Sequence, residues 1–483
     1  MSMPANTRSR QHADQRTEHS MADRPTIALL PLYLDLYDRV VPDQRKSAER
    51  FVAVVAAELN ARSIDVVTLP ICTVASEFAA AVGEAQQSGA SAIVTLHLAY
   101  SPSLESIDAL CATPLPLIVL DTTPAESFPP DIDPTELMNN HGIHGVQDLC
   151  NLLVRRGRRF ELEVGHWRES DVLDRVAARC RVATAVHALR AMRAVRFGAS
   201  FEGMGDFAVS PAVWERTTGV NTLAVAPEEI SCCMPDDTAR AVAEELDRDR
   251  DAYDCSGVAV DVHRRAVRAG LGVRALLEQH QAHAFSMNFL SVTQESGIPA
   301  MPFLEASKAM ARGVGYAGEG DVFTASLVGA LLQAWPQTTF TEMFCPDWRG
   351  NSVFLSHMGE ANPMLLRDKP RLVEKAWAYT DAATPVIAAG CLKPGPCALV
   401  NCAPVADDAF ALIVAPGDML DIAGDTFEAA VRGWFRPHAG LELLLREYSL
   451  AGGTHHSALV YDCATDDLET LGAMLGFQVT VIG

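Results

Sequence analysis

Four apolar runs, IALLPLYL at 27–34, DVVTLP at 65–70, AIVTLHLA at 92–99 and PLIVLDTT at 116–123, decide how the first part of this chain folds. Helical patterns lie between them, the clearest from Ala48 to Leu59. Short apolar strands alternating with helices read as parallel βαβ units, whose right-handed crossovers leave the C-terminal ends of the strands as the ligand-facing edge. Residues 25–190 are therefore expected to form a doubly wound, Rossmann-like α/β domain. The Pro-rich stretch TTPAESFPPDIDPTE, 122–136, interrupts the pattern and is expected to carry the chain over the surface.

A second α/β domain of the same kind is expected over 191–336, opening on the strand AVRFG at 194–198. From 337 to 483 the texture changes to TTFTEMF, SVFLSHM, PCALVNCA and AFALIVA, set between Gly and Pro residues. That pattern predicts a β-rich, barrel-like C-terminal domain. The fold class is thus α/β, with two doubly wound domains followed by a β-rich one. Residues 1–24 are polar, have no apolar segment of the secretory kind and read as a tail, within which Met21 could be the true start.

Composition narrows the function. Hydrophobic residues make up 49% and charged residues 21%, the balance of a globular protein. Thirty-nine basic against 61 acidic residues give a formal charge of −22, which repels a phosphate backbone and excludes nucleic acid as the expected partner. No run has the roughly 18 to 20 apolar residues a bilayer crossing needs, so no membrane is expected. Twelve cysteines without a CxxC pair fit reduced thiols in a reducing, cytoplasmic compartment. The adjacent Cys232 and Cys233 could be a redox or metal pair, or ordinary thiols.

The chemistry concentrates between 315 and 360. In TTFTEMF, strand alternation puts Phe340, Glu342 and Phe344 on one face. An ionised carboxylate on an apolar face needs compensation, and a cation is the strongest available. In SVFLSHM the same rule groups Val353, Leu355 and His357. The turn sequence PDWRGN between them predicts a hairpin centred near Arg349 and Gly350, which would set Glu342 opposite His357 unless a bulge intervenes. Glu319, in GYAGEGDVF, is either a loop carboxylate aimed into a cleft or a negative charge favouring the helix expected from Val322. In AGGTHHSALVYD, alternation does not choose between His455 and His456. Two carboxylates and two imidazoles suit Mn²⁺, Co²⁺ or Mg²⁺ and leave room for two substrate oxygens, as in a chelated hydroxy-carbonyl.

These segments, together with MNNHGIHG (138–145), VGHW (164–167) and VRFG (195–198), resemble the L-arabinose isomerase family within the wider fucose and arabinose isomerase group. The resemblance spans most of the chain. It implies an aldose–ketose isomerase with Mn²⁺ held by Glu319, Glu342, His357 and His456, and proton transfer by the two glutamates. It also implies homo-oligomers, trimers paired into hexamers, in which His144 reaches a sugar bound by a neighbouring subunit. Leu34, Tyr100 and Met204 become pocket positions, although Tyr100 and Met204 read equally well as core residues. The sequence departs from the family pattern where substrate choice would lie: YLDLYD puts Leu34 where a glutamine is usual, Met343 and Phe344 replace an acidic-aromatic run, and LAYSP brings in Tyr100. Such changes predict an altered sugar specificity, with L-fucose, another hexose or a tetrose as alternatives to arabinose. A non-catalytic sugar-binding or sensing protein is the alternative from another class.

Overall fold

In the computed structural model, which describes residues 24–483, the expected apolar runs become the strands of a parallel sheet. They are β1 (Thr26–Leu32), β2 (Asp65–Thr68), β3 (Ile93–His97), β4 (Leu117–Asp121) and β5 (Glu161–Val164), in the order β2-β1-β3-β4-β5. Every neighbouring pair is parallel. β1, β3 and β4 are buried almost throughout because helices cover both faces, which is why they read as continuous apolar runs and not as alternating ones. Ala28, Leu30, Ile93, Leu117 and Val119 share one core with Phe78 and Leu149 of the covering helices. Burying each of the larger side chains contributes about 1.5–3 kcal/mol. The chain reverses its winding between β1 and β3, the point where doubly wound sheets open a ligand crevice. The expected N-terminal tail lies outside the described residues.

This first compact unit runs to Thr184, and residues 185–483 make the second. The second unit contains a four-stranded parallel sheet of β6 (Arg193–Phe197), β7 (Asn221–Val225), β8 (Ala284–Met287) and β9 (Gly315–Gly318), in the order β7-β6-β8-β9. It also contains the β-rich part: β10 (Thr338–Asp347), β11 (Ser352–Ser356), β12 (Arg371–Glu374), β13 (Val386–Cys391), β14 (Gly395–Pro404), β15 (Phe410–Met419), β16 (Val431–Pro437), β17 (His456–Tyr461) and β18 (Gln478–Val481). β16 pairs with both β11 and β15, so β16-β11-β10-β17-β14-β15 close into a six-stranded antiparallel barrel. β12, β13 and β18 extend it at the sides.

Buried charges tie the central helices together. Glu245, on the helix Arg240–Ala252, accepts hydrogen bonds from Arg274 on the helix Val260–Gln279 (2.9 and 3.2 Å) and from Lys308 on the helix Phe303–Ala311 (2.8 Å). Arg274 also binds Glu305, at 2.8 and 3.0 Å. Burial alone would raise the Glu245 pKa, but Arg274, Lys308 and Arg248 outweigh it and hold the carboxyl well below its usual range.

Replacing Glu245 by Ala removes one of two carboxylates from each of two cations that are largely out of water, leaving Glu305 to Arg274 and Asp249 to Lys308, and should cost about 1.5–3 kcal/mol in urea unfolding at neutral pH. Because the folded-state pKa is depressed, this contribution is complete above the ordinary glutamate pKa of about 4.3 and fades as pH falls below it. The difference between wild type and Glu245→Ala should therefore shrink in acid. An equal difference at pH 7 and pH 3 would exclude the ion pairs as its source.

Candidate active site

The hairpin that carries Glu342 follows the expected register only near its turn. Asp347 pairs with Ser352, Pro346 with Val353 and Cys345 with Phe354. A bulge at Phe344 then shifts the pairing by one, so Glu342 lies opposite Ser356 and not opposite His357. The bulge also leaves Phe344 exposed, so it does not share the buried face of Phe340. On its other side β10 pairs with β17, and there Glu342 lies directly opposite His456. His357, the first residue after β11, turns its ring to 5.5 Å from that of His456, and Phe340 packs edge-on against both, at 4.8 and 5.0 Å.

Glu319 enters from the C-terminal end of β9. The residue itself adopts a left-handed backbone, φ +63°, a conformation that costs of order 1–3 kcal/mol and persists where the surroundings enforce it. Gly320 continues the turn at φ +85°. Asp321 caps the helix Val322–Ala334 through bonds from Phe323 and Thr324, so Glu319 is not the residue that serves that helix end. Gly318 has a different task. A Cβ there would stand 2.6 Å from His357 Cε1 and 3.0 Å from its Nε2, so only glycine lets the imidazole lie against this strand end.

Each histidine is oriented by a carboxylate. His456 Nδ1 lies 3.0 Å from Asp321 Oδ2, and His357 Nδ1 lies 2.9 Å from Glu360 Oε2. Glu360 in turn accepts from the Tyr316 hydroxyl at 2.7 Å. Carboxylates on Nδ1 fix the tautomer and leave Nε2 as the free nitrogen, the arrangement found behind metal-bound imidazoles. Buried polar atoms without a hydrogen-bond partner among the described residues include three at this site: His456 Nε2, Glu319 Oε2 and Asp206 Oδ1. Such atoms are costly unless something outside the chain satisfies them, and a divalent cation suits a carboxylate oxygen and an imidazole nitrogen.

The structure adds a histidine that the expected set omits. His455 receives Asp206 twice, at its backbone N–H (2.9 Å) and at Nδ1 (2.6 Å), and its Nε2 lies 3.5 Å from Glu319 Oε2. Atoms of Glu319, His455 and His456 able to bind a metal all lie within 4.8 Å of one another. Burial disfavours the charged form of His455, but Asp206 and Glu319 outweigh it and raise the pKa to about 10. The two glutamates diverge. Burial pushes Glu342 above the ordinary range, whereas at Glu319 the histidines overcome burial and bring the pKa down.

Met204 sits half-buried in the loop after β6, two residues before Asp206. The remaining expected positions belong to the first unit. Leu34 and Tyr100 follow β1 and β3, flanking the switch point of that sheet. Leu34 is buried, whereas Tyr100 is 42% exposed and is not a core residue. His144 is exposed in the first turn of the helix Ile143–Arg155 and meets the Tyr100 ring edge-on at 6.1 Å. Neighbouring His141 is held by the Leu137 carbonyl and by the Tyr37 hydroxyl, each at 2.9 Å. Asp206, Asp321 and Glu360 escaped the sequence reading, although Asp321 and Glu360 stand two and three residues from Glu319 and His357.

Among the described residues no helix is long and apolar enough to cross a membrane. Three family models match the chain: the L-arabinose isomerase N-terminal domain over residues 35–191, the central domain over 214–334 and the C-terminal domain over 337–478. An L-arabinose isomerase of a Nocardioides species is 26% identical over 92% of this chain and 91% of its own length. That of Geobacillus thermodenitrificans is 27% identical over 90% of each, and that of Bacteroides thetaiotaomicron 26% identical over 81% and 80%. With the three matched segments together spanning most of its length, the chain belongs to the L-arabinose isomerase family of aldose–ketose isomerases.

Proposed function

We propose that the chain interconverts an aldose and its ketose at a divalent-metal site formed by Glu319, Glu342, His357 and His456, with Mn²⁺ as the ion and L-arabinose, the sugar named for the relatives, or a similar aldose as substrate. The observation that carries this reading is the pair of buried atoms without a hydrogen bond, His456 Nε2 and Glu319 Oε2, beside a second glutamate set opposite His456 in the strand register. The ion supplies Lewis-acid polarisation of the carbonyl and the neighbouring hydroxyl of the open-chain sugar. His357 and His456 hold it through Nε2 while Glu360 and Asp321 keep both rings in place. Glu319 and Glu342 move the proton, either between C1 and C2 through an enediol or between the two oxygens during a hydride shift. Closely packed Phe340 limits water beside the rings. His144, Tyr100, Leu34 and Met204 serve as sugar contacts, His144 acting on the site of a neighbouring copy in a homo-oligomer, and the enzyme works in the cytoplasm.

Glu319→Gln and Glu342→Gln should each lower kcat by about 10²–10⁴-fold with the fold retained by circular dichroism. Near-normal turnover by both variants would remove the mechanism. Chelation should abolish isomerisation and Mn²⁺ should restore it; full activity in a preparation shown to be metal-free would contradict the reading. Glu360→Gln should weaken Mn²⁺ binding about 10–100-fold in calorimetry, because His357 loses the carboxylate that orients it. Unchanged affinity would remove His357 from the ligand set.

A further inference from the structure

The helix Leu441–Leu450 has one face in the core and one turned away from it. Leu441, Leu444 and Tyr448 join the barrel core with Leu399, Ile413 and Phe435. Leu443 and Leu450 stay outside that core, 43% and 68% exposed, and at i and i+7 they lie on one stripe of the helix. Arg446 and Glu447 occupy the middle of the stripe and are bonded to each other. The stripe therefore reads apolar, basic, acidic, apolar.

The tip of the β10–β11 hairpin is fixed beside the start of this helix. Asn351, in left-handed backbone at φ +50°, accepts the Leu441 N–H on Oδ1 at 2.7 Å. Between the tip and the helix lies a cleft of about 470 Å³, lined by Trp348, Asn351, Gly440, Glu442, Leu443 and Arg446, and Trp348 is 63% exposed beside it. Leu450 cannot fill this cleft in its own chain, because the helix rises about 1.5 Å per residue and holds it roughly 10 Å along the axis from Leu443. One helix thus carries an apolar projection at its end and an apolar recess at its start. Leu443 precedes Arg446 by three residues and Leu450 follows Glu447 by three, so both stand equally far from the central pair of opposite charges.

A surface that is its own complement fits a second copy of itself across a two-fold axis. An axis passing between Arg446 and Glu447 lays two copies of the helix antiparallel and sets Leu450 of each over Leu443 and the cleft of the other. It also brings Arg446 of each against Glu447 of the other, so four charges alternate in sign, whereas a parallel arrangement stacks like charge on like. We propose that the Leu443–Leu450 face of this helix, together with Trp348, is a docking surface whose occupant is a second copy of this chain, paired across that axis. The contact is separate from the one through which His144 is proposed to act on a neighbouring site, and it stands whether or not the isomerase reading does. A different protein docking here would have to supply both the apolar projection and the reversed charge pair, which this face already supplies to itself.

The test uses the full-length protein. Leu443→Cys/Leu450→Cys, treated with oxidised glutathione, should form disulfide-linked chain dimers well above the wild-type level on a non-reducing gel. Neither single variant should link more than the wild type, since the axis places each position against the other and not against itself, and the two positions are too far apart within one chain to be bridged. In sedimentation across a dilution series the wild type should associate. Arg446→Glu and Glu447→Arg should each move that association to about 10-fold higher concentration or more, because the four charges then share one sign, and Arg446→Glu/Glu447→Arg should restore it. Circular dichroism should be unchanged throughout, as these side chains lie at the surface. A wild type that does not associate, an association indifferent to both single reversals, or a double cysteine variant that links no more than the wild type overturns the proposal and leaves the isomerase reading untouched.

Discussion

A carboxylate oxygen and an imidazole nitrogen, both buried and neither given a hydrogen bond by the described residues, the oxygen with the His455 ring 3.5 Å away, impose the constraint on which the catalytic half of this chain depends. Left alone, such atoms cost more than the hydrogen bonds around them return. Their neighbours are arranged to keep that cost and not to relieve it. Asp321 and Glu360 occupy the opposite nitrogens of the two rings, Phe340 wedges between them, and Gly318 removes the one methyl group that would push His357 aside. The left-handed turn at Glu319 is of the same kind, a local expense held in place by the helix cap that follows it.

Much of this order is legible in the residues themselves. Long apolar runs such as AIVTLHLA announce buried parallel strands because both faces are covered, and the turn chemistry of PDWRGN places the hairpin correctly. β5, the short ELEV strand at a sheet margin, alternates charged and apolar residues but buries Glu163 and exposes Leu162 and Val164, so its pattern misleads. The bulge at Phe344 is equally silent, since one extra residue changes the pairing without changing composition. Residues that act through others, Asp206 on His455 and Asp321 on His456, are invisible for a related reason: their partners lie 249 and 135 positions away along the chain. Resemblance supplied the choice between two adjacent histidines that alternation left open, and the structure gives both of them a carboxylate.

Both parallel sheets present their informative residues at the same kind of place. In the first unit Leu34 and Tyr100 follow the strands that flank the switch point, and in the second Asp206 and Glu319 follow β6 and β9. The strands make the frame and their C-terminal exits make the chemistry, which explains why core patterning and site residues occupy different positions in each run.

Closure of the barrel has a consequence for how the metal ligands can move. β10 and β17 are interior members of a ring with no free margin, and β11, which hands on to His357, is the next stave. Fraying, the cheap route by which peripheral strands detach, is not open to them. Glu342 and His456 can separate only if the ladder between their two strands breaks inside the closed ring, so their spacing is protected by the cooperative unfolding of the whole barrel.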